Sequence, residues 1–122
     1  MDTYDILNAA YEVHSVLGPG LLEEVYKKAL AYELQLRGYT VKTECPVNLV
    51  YKDANIGTCL RADIVVNNEI VLELKSTETI NPVAYYQVRT YLRFLHLQTG
   101  YIINFNEASL KNGIRRVTYS KS

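Results

Sequence analysis

From Thr3 to Leu17 the apolar residues Ile6, Ala10, Val13 and Leu17 recur at intervals of three and four, the period of one helix face. Gly18-Pro19-Gly20 breaks the run. A second periodic segment follows at once, from about Leu21 to Arg37, and Gly38 closes it at the C′ position. The pattern then changes to an extended one. Thr40 to Tyr51 reads as a strand, and Pro46 within it argues for a sheet edge or a bulge. A turn at Asp53 to Asn55 leads into a strand from Ile56 to Val66, and Ile70 to Lys75 is a third strand. Asn81 and Pro82 read as N-cap and first residue of a third helix that reaches about Leu97. Gly100 to Phe105 and Ile114 to Tyr119 complete the strands, the last after a turn at Asn112-Gly113. The order α-α-β-β-β-α-β-β predicts an α/β domain with a mixed β-sheet flanked by helices. No repeat, low-complexity tract or linker divides it, so residues 1–122 are expected to form one domain.

Composition narrows the field without naming a function. At 48% hydrophobic and 21% charged residues, the chain has the balance of an ordinary globular protein. Its apolar runs fall far short of the ~20 residues a membrane helix needs, and no basic start leads into an apolar leader. Cys45 and Cys59 are too few for a disulfide framework and lack metal-ligand spacing. A cytoplasmic protein with reduced thiols is the expectation. Formal net charge is zero, so a nucleic-acid function requires a local basic patch rather than an overall field. Arg89 and Arg93, one helical turn apart, and Lys111, Arg115 and Arg116 are the candidates. Eleven tyrosines and no tryptophan suit a core, a base-stacking surface or an interface, and composition does not choose among them.

The stretch "RADIVVNNEIVLELKS", Arg61 to Ser76, places Asp63, Glu73 and Lys75 inside otherwise apolar strands. Alternation puts Glu73 and Lys75 on one face with Val71, and Asp63 on a face with Arg61 and Val65. A three-residue loop, Asn67-Asn68-Glu69, closes Val66 against Ile70 and sets Asp63 opposite Glu73. A two-residue loop would set Asp63 against Leu72 instead. The longer loop is preferred, with Asn68 the residue best able to take a left-handed conformation. Two carboxylates then face each other with Cβ atoms ~5 Å apart, a destabilising pairing that needs a positive partner. Lys75 supplies part of that, and a divalent cation supplies more, because Mg²⁺ is held by one or two carboxylates and keeps several waters. Such an arrangement suits metal-assisted hydrolysis of a phosphodiester. Chance is a real competitor, since a Glu-x-Lys arises in roughly four of ten chains of this length at ordinary composition. A surface Glu–Lys pair would look the same.

The helices add independent signals. Glu23 heads a stripe with Tyr26, Leu30 and Leu34, although an acid in a first turn is also what the helix dipole favours. On the third helix Gln87 and Tyr91 lie in line with Ala84 and Leu95, and a buried Gln needs hydrogen-bond partners.

"GLLEEVY", Gly20 to Tyr26, matches the pattern G-x-x-E-x-x-Y. With "VHSVLGPGLLEEVYKKAL" and "GIRRV", the chain resembles the GxxExxY proteins from about Val13 to Val117, a family assigned to the PD-(D/E)xK nuclease superfamily. Glu23 before the signature and Gln87-x-x-x-Tyr91 after it are similar to the RecB-like exonuclease branch. The resemblance implies a restriction-endonuclease-like core in which Asp63 and Glu73 bind Mg²⁺ or Mn²⁺, with the Leu74 backbone carbonyl as a further ligand and Glu23 as another ligand or the holder of a metal-bound water. It implies that Lys75 assists the nucleophile and that Gln87 and Tyr91 position the phosphate backbone or support the metal site from the adjacent helix. His14 corresponds to an upstream metal-ligand histidine in some RecB-like nucleases, but a helix-end histidine with a backbone partner is the preferred reading. Ala62 stands where the motif has proline, and the cysteines of iron–sulfur members are absent, so no cluster is expected.

The expected function is therefore a metal-dependent nuclease acting on DNA or RNA, as a homodimer and away from membranes. The alternatives are a non-catalytic module that binds nucleic acid or protein on a nuclease fold, and a hydrolase of small phosphate esters.

Overall fold

A computed structural model describes residues 3–121. Helices α1 (Thr3–Leu17) and α2 (Glu23–Leu36) precede strands β1 (Val41–Tyr51), β2 (Ala54–Val66) and β3 (Ile70–Lys75). Helix α3 (Val83–Leu95) links β3 to β4 (Thr99–Asn104), and a 3₁₀ turn (Leu110–Gly113) leads into β5 (Ile114–Thr118). The strands form one sheet in the order β1-β2-β3-β4-β5. Only β3 and β4 run parallel, joined by α3 as a parallel pair requires, and the other neighbours are antiparallel. The expected element order holds, with ends shifted by one to two residues. Pro46 sits on β1, an edge strand, where its missing N–H costs no inner ladder bond.

Two apolar layers cover the sheet. Ile6, Ala9, Ala10 and Val13 of α1 and Tyr26, Leu30 and Leu34 of α2 pack on Ile64, Leu72, Leu74 and Ile103. On the opposite face Ala84, Val88, Tyr91 and Leu92 of α3 pack on Val65, Val71, Ile102 and Val117. Each helix buries a stripe at spacings of three and four, as the sequence pattern requires. No helix among the described residues is long and apolar enough to cross a membrane.

Four tethers fix the backbone around the end of β3. Gly18 and Gly20 adopt positive φ between α1 and α2, where a side chain would strain the turn. The Tyr26 hydroxyl spans that turn, donating to the Gly18 carbonyl and accepting from the Leu21 N–H, while its ring stacks on Phe105 at 4.5 Å. The Ser76 hydroxyl donates to the Leu21 carbonyl, so the start of α2 lies beside the end of β3. Asn104, fully buried, donates from Nδ2 to the Thr77 carbonyl and accepts from the Thr77 N–H. The Phe105 N–H donates to the Lys75 carbonyl at 2.9 Å.

Gly113 closes the expected turn for a steric reason. A Cβ there would meet the Asn104 carbonyl oxygen at 2.5 Å and Glu107 Cγ at 2.9 Å. Gly113→Ala is therefore expected to destabilise the fold by about 1–3 kcal/mol through overpacking. Urea denaturation measures this, and an unchanged midpoint would show that the 3₁₀ turn yields freely.

Candidate functional site

The β2–β3 hairpin pairs Val66 with Ile70, Val65 with Val71 and Ile64 with Leu72. That is the register of the three-residue loop. Asn67 and Asn68 both take positive φ, and the Glu69 N–H donates to the Val66 carbonyl, closing the turn. Asn67 is the addition to the sequence reading: its Oδ1 accepts from the Thr40 N–H, which anchors the left-handed residue to the edge strand.

Backbone pairing between β2 and β3 stops at Ile64↔Leu72. One residue further the strands are joined by side chains. The Leu74 N–H donates to Asp63 Oδ2 at 2.8 Å, and the Asp63 N–H donates to Glu73 Oε1 at 3.2 Å. Each carboxylate thus reaches across the gap and accepts from a backbone N–H that the ladder has left. The alternation of faces also breaks here. Ile64 belongs to the α1/α2 layer, yet Ala62, two residues away, belongs to the α3 layer with Cys45, Val47 and Leu60. The expectation that Asp63 simply shares a face with Arg61 and Val65 is corrected accordingly: Asp63 is the residue at which β2 changes layers.

Glu73 is only 5% exposed, on the face of Val71 beneath α3, and Asp63 is half-buried. Burial, then the neighbouring Asp63 charge, pushes the Glu73 carboxyl up to about 8. Burial raises Asp63 as well, opposed by the Leu74 N–H and by the charges of Lys27 and Lys75. The Tyr91 hydroxyl lies close to Glu73, and burial followed by the two carboxylate charges raises its pKa. Lys75 is half-buried at the end of β3, its backbone fixed through Phe105 and its ammonium within electrostatic reach of both acids.

Asp63, Glu73, Lys75 and Tyr91 are therefore brought together. Gln87 is half-buried one helical turn before Tyr91 on α3. Leu74 is buried and engages the site through its N–H. Glu23 is less buried than the stripe it heads. It is exposed at the first residue of α2, whose buried stripe begins at Tyr26 and packs on the face opposite α3. The start of α2 nonetheless lies beside the end of β3, through the bond from Ser76 to the Leu21 carbonyl. Among the described residues no group of three or more Asp, Glu, His or Cys side chains is placed to hold a metal ion. His14 donates from Nε2 to the Glu107 carbonyl at 2.7 Å, the backbone partner preferred from the sequence, although it comes from a distant loop.

Two residues near the pair escaped the sequence reading. Lys27 of α2 forms ion pairs with Glu24 and with Glu44 of β1. Burial works against its ammonium, but the two carboxylates outweigh that and hold its pKa above the ordinary lysine range. Glu44, at positive φ, falls opposite Asp63 between the pairs Thr43↔Ile64 and Cys45↔Ala62. The signal for Glu44 was the β1–β2 register, which the sequence leaves open because the ladder shifts twice beyond Val47.

A mixed sheet with helices on both faces and paired acids in the split between two strands is an α/β architecture of the restriction-endonuclease-like kind. The family model described as the PD-(D/E)XK nuclease superfamily matches residues 1–117, and the chain belongs to that superfamily. No curated protein and no solved structure matched it.

The raised carboxyls make stability depend on pH. Folded Glu73 holds its proton to about pH 8, whereas the unfolded chain releases it near the ordinary value of 4.5. Between those values the folded state binds more protons, so stability falls as pH rises through the window and the loss is complete above it. Asp63, also raised, acts in the same direction. In chelator, the urea midpoint is expected to drop from about pH 5 to pH 8, and Glu73→Gln should flatten most of that slope. A wild-type midpoint that rises across this range would contradict the burial of the pair.

Proposed function

We propose that this chain is a divalent-metal-dependent nuclease that hydrolyses phosphodiester bonds of DNA, or of RNA, and that it is a GxxExxY-type member of the RecB-like branch. The observation that carries the reading is the Asp63–Glu73 pair spanning the strand split, its two acids buried enough to resist ionisation together. Superfamily membership over residues 1–117 supports it.

The donor set fits a hard dication. Two carboxylates are what Mg²⁺ commonly takes from a protein, with waters filling its remaining positions. Asp63 and Glu73 would hold Mg²⁺ or Mn²⁺, with the Leu74 carbonyl in the same strand and Glu23 from the start of α2 as further ligands. When bound, the ion supplies Lewis acidity at the phosphoryl group and lowers the pKa of an attached water.

The other groups belong to the protein. Lys75 orients the attacking water and offsets negative charge on the phosphoryl oxygens, in a site dry enough for one ammonium to matter. Tyr91 sets its hydroxyl beside the Glu73 carboxyl. The Gln87 amide, one turn away on α3, is suited to donate to a phosphate oxygen of the strand. Leu74 N–H and Asp63 N–H hold the two carboxylates in place before any ion arrives, which lowers the reorganisation needed for binding.

Linear single-stranded and double-stranded DNA incubated with the protein in Mg²⁺, Mn²⁺ or chelator tests the reading. Cleavage is expected only with metal, and Lys75→Ala should slow it by roughly a hundredfold or more. Asp63→Ala should abolish both cleavage and the rise in melting temperature on adding metal. Cleavage in chelator, or wild-type rates from Lys75→Ala, would remove the assignment. Folded wild-type protein that cuts neither substrate would turn the reading to a binding module on a nuclease fold.

A further inference from the structure

The basic residues of α3 are not used by the carboxylate site. Arg89 and Arg93 are exposed, one turn apart, and each lies over an aromatic ring. The Arg93 guanidinium is 5.0 Å from the centre of Phe94, and that of Arg89 is 5.8 Å from Tyr119. Beside them is a cavity of about 620 Å³ bounded by the end of α3, the β1 edge strand and the segment after β5. Asn48 and Val50 form one wall, Arg93 and Phe94 a second, Tyr119 and Lys121 a third. Among the described residues no aspartate or glutamate lines it.

A cation in the last turn of a helix is ordinarily explained by the helix dipole. That accounts for Arg93 but not for the second cation, Lys121, or for the two rings brought in from separate elements. Cations with aromatic faces in a concave, acid-free site are the combination that binds unpaired nucleotides. Rings stack on bases of any sequence, and guanidinium or ammonium groups meet the phosphates. A guanidinium already lying on a ring keeps its donor edge for a bidentate phosphate contact. Duplex DNA, by contrast, offers no free base face to such a cavity.

The geometry points to this cavity as a binding subsite for single-stranded nucleic acid, holding one nucleotide with its base against Phe94 and Tyr119 and its phosphates on Arg93 and Lys121. The inference deepens the nuclease reading and rests on it for the identity of the polymer. It gives the enzyme a substrate class, a strand with unpaired bases. Tyr91, beside Glu73, and Phe94, in the cavity, are three residues apart on α3, about 4.5 Å along the helix axis. The cavity and the carboxylate pair thus adjoin neighbouring turns of α3. Zero net charge is no obstacle, because the cations are gathered where acids are absent.

Binding of a short fluorescein-labelled oligothymidylate, measured by anisotropy in chelator, tests the site apart from catalysis. The double variant Arg93→Glu/Lys121→Glu is compared with Lys28→Glu/Lys42→Glu, which alters net charge equally at exposed positions on α2 and the start of β1. The first is expected to lose at least tenfold in affinity, the second little. The slope of log affinity against log salt should become shallower by about 1.4 in the first, the value for two single-strand phosphate contacts. Tyr119→Leu, which keeps apolar bulk but not the ring, should weaken binding roughly fivefold or more. Equal losses in the two double variants, no binding by wild type, or equal affinity for a hairpin duplex would overturn the proposal. Thymidine monophosphate competing as well as the oligomer would replace the strand subsite with a free-nucleotide site. Strand binding lost as expected, with no cleavage under any condition, removes the nuclease reading but not this site. Cleavage with unaltered strand binding does the reverse.

Discussion

Everything distinctive about this sheet follows from the place where β2 parts from β3. Up to Ile64↔Leu72 the two strands are an ordinary antiparallel pair. At the next position the backbone donors of Asp63 and Leu74 lose ladder partners, and a buried N–H without an acceptor is costly. The carboxylates of Glu73 and Asp63 take those donors. An uncharged residue of similar length would satisfy the same bonds without electrostatic penalty, as Asn104 does at the end of the neighbouring strand. The fold instead keeps two acids there and raises the proton affinity of both. A penalty retained at one point in an otherwise well-satisfied interior is the physical mark of a site shaped for a ligand of opposite charge.

The split also explains how two layers separated by a sheet act on one site. Glu73 lies under α3 and meets Tyr91. Asp63 stands where β2 crosses from the α1/α2 layer to the α3 layer, so it is also within the field of Lys27 from α2. Lys27 is itself held by Glu24 and Glu44. The two acids are therefore not equivalent. Asp63 has a 2.8 Å backbone donor and a cation on either side, while Glu73 has a longer bond, deeper burial and the Asp63 charge against it. Protons come off such a pair in two linked steps, and the asymmetry favours keeping the first-lost charge on Asp63.

The sequence made the frame of this arrangement readable and hid its centre. Element order and hairpin register were legible because they depend on local signals: a helical period, Gly18 to Gly20 at a turn, Asn67-Asn68 able to take positive φ, and a two-residue alternation around Val65 and Val71. Asp63, Glu73, Lys75 and Tyr91 could be grouped because they lie on three consecutive elements whose register those signals determine. The exposure of Glu23 was not legible because helical periodicity reports which stripe of α2 is buried, not where along the helix that burial begins. The layer change at Asp63 was illegible for a related reason. Alternation presumes a continuous ladder, and here the ladder ends at the residue in question. Lys27 and Glu44 were hidden twice over, by that break and by the positive φ at Glu44, which no residue preference announces.

The tethers around Lys75 show that the site is not an accident of two acids left in a sheet. Tyr26 locks the turn before α2, Ser76 ties that turn to the end of β3, and Asn104 with Phe105 secures the segment leaving Lys75. Buried hydrogen bonds of this kind contribute about 1 kcal/mol each, which is modest beside the apolar layers. Their larger effect is geometric. A lysine stem has four rotatable bonds, so its ammonium is useful at a fixed point only if the backbone that carries it does not move. Three separate elements spend their polar groups on holding that backbone, and none of those bonds is needed to bury α1, α2 or α3. The polar interior of this protein is thus organised around the end of β3, where the charges are, rather than around the core, where the stability is.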